Sequence, residues 1–108
     1  MVIYVDVDDT LVRTFGKKRI SIASVVEHVR RLWNEGTALY CWSSGGAEYA
    51  NEVARELGIE ECFVAYLPKP DALIDDQLIG EWRRFVQVHP GRCANMTLED
   101  YCKMLAPE

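Results

Sequence analysis

Val2-Ile3-Tyr4-Val5-Asp6-Val7-Asp8-Asp9-Thr10-Leu11 opens with a β-branched apolar run that stops abruptly at acid. Residues apolar at every position, rather than every second one, mark a strand covered on both faces, as in a parallel sheet. The pattern returns at Ala38-Leu39-Tyr40-Cys41-Trp42, a second buried strand that ends in Ser43-Ser44-Gly45-Gly46. Between the two, Ile22, Val25, Val26, Val29, Leu32 and Trp33 recur at the helical period, with Ser21 as N-cap and Gly36 as stop. After the second strand, Ala50, Val53, Ala54 and Leu57 share one face of a helix, with Ser44 as its cap and Gly58 beyond its last turn. Strand, helix, strand, helix predicts a right-handed parallel α/β unit.

Farther along, Cys62–Leu67 is a third apolar run, and Pro68-Lys69-Pro70 separates it from Ala72-Leu73-Ile74 and the pair Asp75-Asp76. A parallel crossover takes about ten or more residues, and the 67–71 connection is too short for one. The sequence is therefore read with Cys62–Leu67 as an extended connector across the sheet end and Ala72–Ile74 as the next strand. Phe85-Val86-Gln87-Val88 reads as an edge strand closed by His89-Pro90-Gly91. A last helix starts near Leu98, with Thr97 as cap, Asp100 at the capping-box position, and Leu98, Tyr101, Cys102 and Leu105 spaced for packing. No repeat, linker or low-complexity stretch divides residues 1–108, which predicts a single domain.

The 108 residues carry 12 Lys+Arg against 17 Asp+Glu, a net charge of -5. That balance argues against a dedicated nucleic-acid binder, which would present a basic stripe. Asp6 cuts the opening apolar run short of a signal-peptide core, and no apolar run approaches the roughly 20 residues of a membrane helix, so a cytoplasmic protein is expected. Cys41, Cys62, Cys93 and Cys102 have no paired spacing and are read as buried free thiols. His89, Cys93 and Cys102 fit no common zinc pattern. His28 and His89 are read as structural or exposed, and Trp33, Trp42 and Trp82 as packing residues rather than stacking surfaces for a ligand.

In an open parallel sheet the ligand site lies beyond the carboxyl ends of the strands. Asp6, Asp8, Ser43 and Asp75 each follow an apolar run, and Lys69 lies just before the last. Gathered carboxylates repel unless a cation neutralises them, and hard oxygen donors without His or Cys suit Mg²⁺. A Gly-Gly turn at a helix N-terminus beside a hydroxyl and a lysine describes a site for a phosphoryl group.

Taken together, these segments resemble the haloacid dehalogenase (HAD) superfamily of phosphohydrolases, with all four of its motifs in order over residues 2–76. The Asp6-Val7-Asp8-Asp9-Thr10 segment is similar to its D-x-D-x-T motif, Tyr40-Cys41-Trp42-Ser43 to its second, Lys69-Pro70 to its third and Ile74-Asp75-Asp76 to its acidic fourth. The resemblance implies a Rossmann-like three-layer α/β/α sandwich with a small, mostly parallel sheet and no cap domain. It further implies a Mg²⁺-dependent phosphatase with Asp6 as the nucleophile that forms an aspartyl-phosphate and Asp8 as acid/base. Ser43, Ser44, Gly45 and Lys69 would hold the phosphoryl group, and Asp6, Asp8, Asp75 and Asp76 the metal. Asp9 has no role in that scheme. Arg13, Lys17, Lys18 and Arg19 fall in the family's flap, too short here for a cap, and are read as a cationic rim or a solvated turn. Capless members tend to take large or macromolecular phosphorylated substrates or to borrow a lid from a neighbouring subunit, so an oligomer is compatible with the pattern. Nucleic-acid phosphate ends belong to that class, although the acidity of the chain does not favour them. A phosphoacceptor module and an inactive HAD-like binding protein are the competing readings.

Overall fold

The computed structural model describes residues 1–106. Three parallel strands form the sheet: β1 (Val2–Asp6), β4 (Ala38–Ser43) and β5 (Phe63–Pro68), in the order β1-β4-β5. A separate antiparallel hairpin, β2 (Val12–Phe15) and β3 (Lys18–Ser21), follows β1 directly. Three α-helices complete the fold: α1 (Ala23–Asn34), α2 (Ala47–Glu56) and α3 (Leu98–Leu105). The result is a small α/β fold with a mostly parallel sheet. No helix among the described residues is long and apolar enough to cross a membrane.

The predicted unit β1-α1-β4-α2 forms, with local corrections. Ser21 does not cap α1, because it is paired with Val12 in the hairpin, and Ile22 N–H donates to Leu11 O at 2.8 Å before the helix begins. Ser44 does not cap α2 either. Gly46 holds that position at φ 103, a left-handed conformation that favours glycine. Trp33 turns to solvent, whereas His28 joins the buried row of Val25, Val26, Val29 and Leu32. The last helix is capped as expected: Thr97 accepts from Asp100 N–H, and the Asp100 carboxylate accepts from Thr97 N–H.

Two larger expectations fail together. The third apolar run is a genuine sheet strand, with Trp42 beside Leu67 and Ser43 beside Pro68, and not a connector. Ala72–Ile74 then has no strand to join, because the few residues after β5 cannot carry the chain back for another parallel pairing. Leu73 and Ile74 lie exposed in irregular chain, and Phe85–Val88 is not a strand.

The β1-β4-β5 order moves across the sheet in one direction, so right-handed crossovers place both connecting helices on the same face. Burial agrees. Leu39 and Cys41 are 0% exposed and Val5 8%, whereas Val2 is 62% and Tyr4 45% exposed on the alternate positions. α3 meets α1 where His28 Nε2 and the Tyr101 hydroxyl lie 2.7 Å apart. Among the described residues no helix covers the exposed Val2 and Tyr4 positions, so the expected layer on that side of the sheet is not formed.

Candidate functional site at the carboxyl edge of the sheet

Parallel pairing brings the carboxyl ends of β1, β4 and β5 side by side, which sets Asp6 next to Trp42 and Ser43 next to Pro68. Beyond β5 the chain stays attached, because Lys69 N–H donates to Ser43 O at 2.9 Å. The Lys69 ammonium reaches across to Asp6 Oδ1 at 3.8 Å and lies 5.9 Å from the centre of the Trp42 ring. Both side chains of the ion pair keep solvent access, Lys69 at 43% and Asp6 at 32%. Residues from three separate strand ends therefore meet at one point.

The second half of the edge is built around Ser43, which is 1% exposed. Its Oγ accepts from Gly45 N–H at 3.0 Å, and its carbonyl accepts from Gly46 N–H, so Ser43 itself shapes the turn into α2. Its hydroxyl proton is left to donate. Ser44 and Gly45 are exposed at this turn. A Cβ on Gly45 would lie 2.9 Å from the Tyr49 ring, which explains the glycine.

Tyr49 is the residue that sequence reasoning missed. Its hydroxyl donates to Asp8 Oδ1 at 2.8 Å, while Arg19 lies 5.4 Å over its ring and pairs with Glu52 and Glu56. Burial and the bond to Asp8 push the Tyr49 hydroxyl above the usual tyrosine range, so it stays protonated and a donor. One clue was available: Tyr49 lies one helical turn before Val53, at the margin of the apolar face. The same contacts correct the reading of the flap. Arg19 is an anchor that ties the hairpin to α2, and of the four flap cations it is withdrawn from any rim.

Asp9 also gains an explanation. It stands at φ 60 in a tight turn in which the N–H groups of Thr10, Leu11 and Val12 all converge on Val7 O. A short polar side chain tolerates that conformation, so its place in the motif is conformational.

Asp6 and Asp8 suit Mg²⁺ in donor chemistry, since that ion commonly takes one or two carboxylates and completes its octahedron with water or phosphate oxygens. The expected contribution of Asp75 and Asp76 is not formed. Both are exposed, Asp75 Oδ1 accepts from Gln77 N–H, and among the described residues no three acidic, His or Cys side chains gather as a metal cage. The missing strand at Ala72–Ile74 is the reason, because only a strand would aim Asp75 at the edge. The three buried thiols offer no rival nucleophile: burial pushes Cys41 up to about 12 and also raises Cys62 and Cys93. All four cysteines are free, and Cys102 is exposed, contrary to the buried reading.

Two shallow concavities lie elsewhere, one along α2 from Ala47 to Arg55 and one between Trp33 and Val64. At the carboxyl edge Asp6 and Lys69 keep solvent access, whereas Ser43 is buried. Protein-family models, curated proteins and solved structures yield no match to this chain.

Proposed function

We propose that the protein is a HAD-type phosphomonoesterase that works through an aspartyl-phosphate on Asp6. The observation that supports this reading most is the Lys69–Asp6 ion pair at the carboxyl edge, where the Lys69 backbone is also held to the Ser43 carbonyl. Lys69 would offset the repulsion that otherwise keeps a carboxylate from a phosphate dianion. An Asp6 oxygen then forms a bond to phosphorus as the ester P–O bond breaks, and Asp8 gives its proton to the departing alkoxide. In the second step Asp8 takes a proton from water, whose oxygen attacks the same phosphorus, which releases phosphate and restores the Asp6 carboxylate. Tyr49 acts as a positioning residue by holding Asp8 through its hydroxyl. The Ser43 hydroxyl and the glycine turn at the start of α2 would orient the phosphoryl oxygens. Asp6 and Asp8 are the residues that would hold Mg²⁺, and the ion would supply charge neutralisation and polarisation of those oxygens.

Hydrolysis of an aryl phosphate with and without Mg²⁺ tests this reading, and the Asp6→Asn variant serves as control. The expected result is repeated, Mg²⁺-dependent turnover that falls by on the order of 10³-fold in the variant. Activity that survives the substitution removes Asp6 as nucleophile. A second reading is favoured by the exposed placement of Asp75 and Asp76, namely a HAD-like protein that binds a phosphate without turning it over. Phosphate binding with no hydrolysis under any metal condition would select it.

A further inference from the structure

We propose that the open face of the sheet is a stacking platform for the base of a nucleoside monophosphate whose phosphate lies at Asp6 and Lys69; the phosphate half of this proposal rests on the function proposed above. Parallel sheets are ordinarily covered on both faces, but here Tyr4, Tyr40 and Trp42 share a face that carries no helix among the described residues. Tyr4 and Tyr40 stack at 5.1 Å with a 26° interplanar angle, and Tyr4 meets Trp42 edge to face at 4.9 Å. By strand alternation and register, Asp6 belongs to the same row: it follows Tyr4 by two residues on β1 and pairs with Trp42 on β4. Two residues of strand span about 7 Å, the order of the separation between phosphate and base in a nucleotide. Lys69 links the two parts, with its ammonium near both the Asp6 carboxylate and the Trp42 ring.

The placement of Lys69 favours a small occupant: aromatic rings that lead to one ammonium group suit a flat ring that carries one anionic group. A long polyanion is disfavoured by the net charge of -5 and by the removal of Arg19 into its pairs with Glu52 and Glu56.

The test follows Trp42 fluorescence in a Trp33→Phe/Trp82→Phe protein during titration with AMP, ribose 5-phosphate and a 5′-phosphorylated oligothymidylate, with AMP turnover recorded in parallel. AMP should bind at least about tenfold more tightly than ribose 5-phosphate, and Tyr4→Leu should remove most of that advantage. Tyr40→Leu provides a second probe where the first variant fails to fold. Equal affinity for AMP and ribose 5-phosphate overturns the platform while leaving hydrolysis standing. An AMP preference without turnover supports the platform and overturns hydrolysis. Tighter binding of the oligonucleotide than of AMP overturns the mononucleotide as occupant.

Discussion

The two faces of the three-stranded sheet are built from alternate residues of the same strands, yet only one is finished. On the covered face Leu39, Cys41 and Val5 are sealed by the helix layer. On the open face Val2, Tyr4, Tyr40 and Trp42 lead along the surface to Asp6. The covered face carries the stability of the fold, and the open face carries the side chains proposed to meet a ligand. A strand end can thus be anchored from one side while its carboxylate remains accessible from the other.

Stability measurements can break that division. Leu39→Ala should cost about 2–5 kcal/mol in urea unfolding, as expected for a leucine lost from a closed core. Gly45→Ala should cost about 1–3 kcal/mol, because the added methyl collides with the Tyr49 ring. It should also displace the hydroxyl that holds Asp8, so kcat should fall and the pH profile should shift together with the loss of stability. Tyr4→Ala, on the open face, should cost less than about 1.5 kcal/mol, since only ring contacts with Tyr40 and Trp42 are lost. A cost equal to that of Leu39→Ala would mean that the open face is a second core.

The smallest effect concerns His28, buried in the helix layer with Nδ1 unpartnered. Burial, aided by Arg31 and opposed by Glu35, pulls it below its ordinary value of 6.5. The unfolded chain therefore binds the proton more readily. The contribution of His28 is complete above pH 6.5 and is lost as the pH falls from there toward the folded value, by at most about 1.4 kcal/mol per pH unit. Urea midpoints measured from pH 7.5 to 5.0 should show this slope in the parent and a shallower one in His28→Gln.

Much of the fold could be read from local patterns. The apolar runs of β1 and β4, the 3.6-residue stripes of α1 and α2, and the Thr97–Asp100 capping box all act within a few residues, so the sequence displays them directly. The role of β5 could not be read in the same way. Its run was recognised, but whether it or Ala72–Ile74 joined the sheet depended on a long-range choice that no local propensity settles. The open face was hidden for a related reason: continuous apolar runs look alike whether a second layer covers them or aromatic residues meet solvent. At the site, Asp6 and Ser43 were legible because each punctuates a strand end, whereas Lys69 was expected just before a strand at Ala72–Ile74 and instead follows β5. Tyr49 was not, because its importance comes from a contact with Asp8 across 41 residues. The assignment of Asp75 and Asp76 to the metal depended on the strand that is absent.

The most direct measurement is to trap the phosphoryl group on the chain. The protein is mixed with an aryl phosphate and Mg²⁺, quenched in acid during turnover, and the peptide spanning Met1–Arg13 is mapped by mass spectrometry. One phosphoryl group on Asp6, absent from Asp6→Asn, is the predicted result. Undiminished turnover in Asp6→Asn, or a phosphoryl group on Asp8 instead, would contradict the role assigned to the carboxyl edge.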